Sequence, residues 1–299
     1  MAEATKGLGV IGGVGAAILA GFGLWMASVP FDSPAAPWDP DADTRPPAVG
    51  ETASPAPTAT AAPTTPRATP SPRPPTPPPP PSPLEGATIV LDPGHNSDNA
   101  ANPRVINAQV PDGRGGFKAC NTVGTMTNDG YAEHLFTWDV ADRTRLLLEQ
   151  GGATVVMTRE ATGIGPCVDE RGATSTEADA DLMISIHGNG SESPAPQGYF
   201  VMIVGNPLND AQGEPSQALA AATAEALAAE GFTPSTWAGE IIERDDLATL
   251  NHATSPVIMV ELAEFRNPEE AAAVQDPEVR QRYAQALADG AAAWLEDQD

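Results

Sequence analysis

The sequence predicts one α/β domain, a mostly parallel twisted sheet with helices on both faces, preceded by a transmembrane helix and a disordered Pro-rich linker. Three observations carry this expectation. From Ala87 onward, short runs that are apolar throughout alternate with longer runs of helical period. Such strands belong to sheets covered on both faces. Twenty of the 32 prolines lie between Pro30 and Pro83. Gly7 to Val29 is a run of 23 residues without a charge.

A run of that length spans a ~30 Å hydrocarbon core as a helix. Lys6 precedes it, and Asp32, Asp39, Asp41 and Asp43 follow. This pattern places the N-terminus inside and the rest outside. A cleaved signal peptide is the alternative, but the apolar core is long and no small-x-small site follows Trp25. Gly7-x-Gly9-x-x-Gly12 spells a dinucleotide fingerprint, yet six residues leave no room for the strand that must precede one. The stretch 30–83 is Pro, Ala, Thr and Ser with too little apolar content to fold. Residues 1–29 are therefore read as anchor or signal segment, 30–83 as linker and 84–299 as the folded domain.

Within the domain, strands are expected at 87–91, 154–158, 182–186, 199–204 and 257–260. Helices are expected at 133–150, closed by Gly151-Gly152, and at 170–178, 216–230 and 277–296. No internal repeat is visible. Fifteen Lys and Arg against 40 acids, a net charge of −25, exclude nucleic acid as a partner. Two cysteines exclude a disulfide-dense mini-fold. A monomer is expected.

Three chemical groups occupy equivalent places. His95 follows the first strand through Asp92-Pro93-Gly94, His187 ends the strand 182–186, and Glu261 ends the strand 257–260. Ligands of open α/β sheets bind at the carboxyl ends of strands. Glu133 adds a fourth group. It shares a helix face with Phe136, Val140, Thr144 and Leu147, so its carboxylate tops an apolar stripe. Burial there is costly unless a cation compensates it; a solvated first-turn residue is the other reading. Two His and one Glu make a ligand set for catalytic zinc, with a fourth position for water and Glu261 free as general base. His134 points about 100° away from Glu133 around the helix. His252 precedes the last strand as a loop histidine or a substrate contact. Arg171 is expected to pair with a carboxylate rather than substrate.

The motifs Ile89-Val-Leu-Asp-Pro-Gly-His95, Gly130-Tyr-Ala-Glu133, Cys167-Val-Asp-Glu-Arg171, Asp181-Leu-Met-Ile-Ser-Ile-His187 and Pro256-Val-Ile-Met-Val-Glu261 stand in order along the chain, followed by Asn267-Pro-Glu-Glu270. On these motifs the chain resembles the zinc-dependent N-acetylmuramoyl-L-alanine amidases (amidase type 3), in particular their actinobacterial branch, over Ala87 to Leu295. The resemblance implies Zn2+ on His95, Glu133 and His187, and Glu261 as the catalytic acid/base. It implies a peptidoglycan substrate, cut at the amide between N-acetylmuramic acid and L-alanine of the stem peptide. A zinc peptidase cutting within the stem and a non-catalytic wall-binding module are the alternatives. Asn96 and Ala263 stand where the family often has Gly, and Glu264 is a second acid beside Glu261. His252 and Asn189 are candidate substrate contacts. The expected location is extracytoplasmic, anchored by the N-terminal helix or secreted after its cleavage. In that compartment Cys120 and Cys167 form a disulfide, with two buried thiols as the other reading.

Overall fold

The apolar run Thr88–Pro93 forms β1, the strand around which the domain is built in the computed structural model, which describes residues 82–298. The expected anchor and all but the last two residues of the expected linker lie outside these residues. No described helix is long and apolar enough to cross a membrane.

The chain continues through α1 (Pro103–Ile106), β2 (Gln109–Pro111), β3 (Phe117–Ala119), α2 (Glu133–Gln150), β4 (Thr154–Met157), α3 (Val168–Glu177) and β5 (Leu182–Asn189). After these come β6 (Phe200–Val204), α4 (Glu214–Ala229), β7 (Ile241–Arg244), α5 (Ala248–His252), β8 (Val257–Glu264), α6 (Pro268–Ala273) and α7 (Pro277–Glu296). Six strands form one sheet in the order β4-β1-β5-β8-β6-β7, and β2 and β3 form a separate hairpin.

The first four strands are parallel, β6 runs antiparallel to β8, and β7 is parallel to β6. Connection length explains the reversal. The loop 190–199 carries no helix, so β6 starts at the end where β5 finished and must run back. The helix α4 then supplies the crossover that keeps β7 parallel to β6.

Strand residues alternate between two cores, as a period of two requires. Ile89, Leu91, Ile184, Ile186, Val201, Ile258 and Val260 pack under α2, α4 and α7. Val90, Met183, Phe200, Met202, Val257 and Met259 face the other side with Leu250 of α5. In the first core Phe136 is fully buried and meets Phe265 and Tyr283 edge-on at 5.5 and 5.9 Å.

The structure extends two expected strands. The strands β5 and β8 continue to Asn189 and Glu264, so His187 and Glu261 lie within strands and not at their ends. Backbone pairing does not stop where apolar side chains stop. The edge strand β7, the hairpin and the short helices α1, α5 and α6 were also absent from the sequence reading. The expected helices 133–150 and 277–296 match α2 and α7. Cys120 and Cys167 are joined in a disulfide. It ties the segment between His95 and Glu133 to the N-cap of α3, which is Cys167 itself.

Candidate active site

The turn after β1 delivers His95 in a left-handed backbone conformation, φ 60°, which costs a non-glycine residue energy. Arginines hold it there. Arg171 donates to the His95 carbonyl at 2.7 Å, the Pro93 carbonyl at 2.8 Å and Asn96 Oδ1 at 2.5 Å. Arg159 donates to the Pro93 carbonyl at 2.8 Å and the Gly94 carbonyl at 3.2 Å. Both guanidinium groups are buried. Arg171 pairs with Asp92 at 2.6 Å, as expected of it. Asp92 also accepts from Thr158 and Ser185, each at 2.6 Å. Burial alone would raise the Asp92 carboxyl; Arg171 and the two hydroxyls outweigh it and hold the group below its ordinary range. Burial, reinforced by the charge of Arg171, pulls Arg159 down to about 10.

His95, Glu133 and His187 converge. One potential ligand atom from each lies within 4.8 Å of the others. His95 Nε2 is 3.0 Å from Glu133 Oε2, and His187 Nδ1 is 3.1 Å from Glu133 Oε1. Glu133 is the first residue of α2 and is 3% exposed, not solvated. Its Oε2 accepts from the Thr125 amide at 2.8 Å and its Oε1 from the Gly188 amide at 3.1 Å. Burial would raise its carboxyl; the two imidazoles reverse this and hold it far below the usual range. For His95, burial opposes the charged form, but the Glu133 carboxylate outweighs it and the net shift is upward.

The donor chemistry fits a divalent metal. His95 Nδ1 lies 3.1 Å from the Thr122 carbonyl, which only accepts, so that nitrogen carries the proton. Its Nε2 then turns a lone pair on a carboxylate oxygen, an arrangement a shared cation resolves. The backbone leaves room for it. A Cβ at Gly124 would sit 2.8 Å from His95 Cδ2 and 2.9 Å from Glu133 Oε2, and one at Gly94 would collide with the His187 ring.

Glu261 pairs in register with His187 across β5 and β8, so the two side chains leave the same face of the sheet. Among the described residues, its Oε2 is buried without a hydrogen-bond partner. Burial raises its carboxyl well above the ordinary range, and the charges of Glu133 and Glu264 add to the effect against Arg244. A cavity of about 640 Å³ opens over this group; Glu261 lines it with His95, Glu133 and His187, and Glu264 does not.

The family model for N-acetylmuramoyl-L-alanine amidase matches residues 89–293. The chain belongs to that family. It is 38% identical over 218 residues to N-acetylmuramoyl-L-alanine amidase Rv3717 of Mycobacterium tuberculosis, covering 72% of this chain and 89% of that protein. The crystal structure of the N-acetylmuramyl-L-alanine amidase Ami1 from Mycobacterium smegmatis superposes with a TM-score of 0.69 at 41% identity, over 72% of this chain and 99% of that one. Ami1 from Mycobacterium abscessus, in its apo form, gives 0.68 at 42%, over 71% and 99%.

The other expected contacts of the amidase separate. Asn189 lines the cavity and donates to Glu264 at 2.7 Å. His252 is not among the cavity-lining residues; its Nε2 faces the Pro111 carbonyl of the hairpin at 3.2 Å. The sequence reading missed Arg159, Trp237 and Arg266. Arg159 follows an apolar strand as His95 and His187 do, a positional signal that was available. Trp237 and Arg266 sit in loops, where spacing carries no signal.

Proposed function

We infer that this chain hydrolyses the amide between N-acetylmuramic acid and L-alanine of the peptidoglycan stem, with zinc held by His95, Glu133 and His187. The observation that carries this reading is the His-Glu-His convergence beside the unpartnered Glu261 oxygen, in a chain of this family. Zinc, when bound, supplies Lewis acidity that acidifies water and polarises the amide carbonyl.

The protein supplies the rest. The Thr125 and Gly188 amides orient the Glu133 carboxylate, and the Thr122 carbonyl fixes the His95 tautomer. Glu261 takes the proton from the attacking water at its free carboxylate oxygen. It then returns that proton to the leaving amine of L-alanine. Its buried oxygen, without a donor among the described residues, leaves an acceptor uncommitted for both transfers.

The enzyme acts outside the cytoplasm, a reading the disulfide supports. Residues 7–29 serve as the anchor and 30–83 as its tether; recovery of a chain beginning well beyond Val29 from the medium would instead make 7–29 a signal peptide. Mass spectrometry of digested peptidoglycan tests the reaction. Intact stem peptides that begin with a free L-alanine amine are expected, and a chelator abolishes them. Fragments cut within the stem would assign the chain to a peptidase reaction instead.

A further inference from the structure

Glu264 is a fully buried acid that takes no proton in the proposed chemistry, although its charge acts on Glu261. It does not line the cavity, but both groups that donate to its side chain do. Its Oε1 accepts from Asn189 Nδ2 at 2.7 Å and from Trp237 Nε1 at 2.8 Å. Trp237 caps the tight turn bridged by Ser235 and Gly239. Its indole meets Phe200 edge-on at 5.4 Å, and its amide lies 3.3 Å from Ser235 Oγ. The side chain is nonetheless 56% exposed. A large aromatic left in water while its N–H is locked onto a buried carboxylate is a preorganised contact surface. The amide of Asn189 is oriented by the same carboxylate, and among the described residues its Oδ1 accepts no hydrogen bond.

We propose that Glu264 is a positioning residue that fixes Trp237 and Asn189 as a substrate-contacting wall of the cavity, with the Trp237 ring taking the face of a pyranose of the glycan strand. This rests on the amidase reading above, which places a sugar on one side of the scissile bond. An exposed indole face is apolar and suits the C–H face of a sugar ring; the charged stem peptide offers it less. Arg266 lines the same cavity and, among the described residues, forms no ion pair, so the wall provides a cation for carboxylates elsewhere.

The test uses the zinc-loaded full chain and two substrates: a muramyl peptide bearing its disaccharide, and the same peptide on a D-lactyl group without sugar. Trp237→Ala is expected to raise KM for the sugar-bearing substrate roughly tenfold, the scale of an aromatic anchor, with kcat little changed. The sugar-free substrate should not respond to Trp237→Ala. Glu264→Gln keeps a carbonyl acceptor for both donors and should rescue what Glu264→Leu loses. Equal losses on both substrates, or no loss on either, would overturn the proposal. A fall in kcat on the sugar-free substrate in Trp237→Ala would overturn it too, by placing the indole at the scissile bond and not at the sugar. A binding arm stands apart from turnover: titration with the GlcNAc–MurNAc disaccharide should shift indole emission in the wild type and not in Trp237→Phe. If wild type binds in this way yet releases no stem peptide, the amidase reading fails and the wall stands. A wild type whose emission the sugar does not change contradicts the wall.

Discussion

At the residue scale, Glu261 and Glu264 are three positions apart, and different roles are proposed for them because one opens on the cavity and the other is closed off. Glu261→Gln keeps size and the metal site but loses the carboxylate base. Turnover is expected to fall by about 10²- to 10⁴-fold, the usual contribution of a positioned general base, with zinc content unchanged. Kinetics beside metal analysis checks this; retained turnover would remove Glu261 from the proton path. The sequence displayed Glu261 as an acid in an apolar strand, but the partners that bury Glu264, Asn189 and Trp237, come from distant segments and left no local trace.

The buried Asp92–Arg171 pair gives a second residue-scale prediction. Asp92→Asn leaves Arg171 buried without its countercharge, a loss of about 3–5 kcal/mol for such pairs. Denaturant unfolding measures it. The folded-state pKa of Asp92 is depressed, so its contribution is present above its unfolded value of about 3.9 and is lost as pH falls through the folded value. The acid arm of the wild-type stability curve should therefore flatten in Asp92→Asn; an unchanged acid arm would mean that other carboxylates govern it.

At the element scale, the segment between His95 and Glu133 carries α1, the hairpin β2–β3 and Thr125, whose amide holds Glu133. The disulfide pins this segment to α3 across a sequence separation of 47. Loop closure of that size contributes about 4 kcal/mol in the chain-entropy model. Cys120→Ser is expected to lower denaturant stability by up to that amount, and a midpoint identical to wild type would show that the segment holds itself. The helices α2 and α7 were legible because period and length agree along 18 and 20 residues, with Gly151 closing α2 and Asp276 capping α7. The strand β7 was not: Ile241-Ile-Glu-Arg244 is a half-exposed edge whose pairing with β6 depends on a crossover through α4. The same limit applies to β5 and β8, whose last residues are polar yet remain hydrogen-bonded as strand.

At the scale of the whole molecule, strands of continuous apolar residue type announced a sheet covered on both faces, and the two cores divide along that sheet. The direction of β6 was hidden, because it follows from the missing helix between β5 and β6 and not from the strand itself. The strong negative charge is also a property of the whole. Four cations, Lys118, Arg171, Arg244 and Arg266, line the cavity beside three acids, Asp92, Glu133 and Glu261, in a chain with a net charge of −25. The cavity lining therefore does not share the acidic excess of the sequence. This arrangement favours solubility and does not steer the enzyme toward an anionic wall. His95, Glu133 and His187 come from a loop, a helix start and a strand, and only the assembled sheet makes them one site.

This one site, loaded with one zinc, is proposed to cut the muramyl amide. The measurement that reaches it most directly is a zinc titration of the metal-free full chain, with the release of intact stem peptide from muramyl peptide as the readout. Expected are no release without metal, a rise proportional to added zinc, and saturation at one equivalent, all lost together in His187→Ala. Stem-peptide release by the metal-free protein, or undiminished zinc-dependent release by His187→Ala, would contradict it.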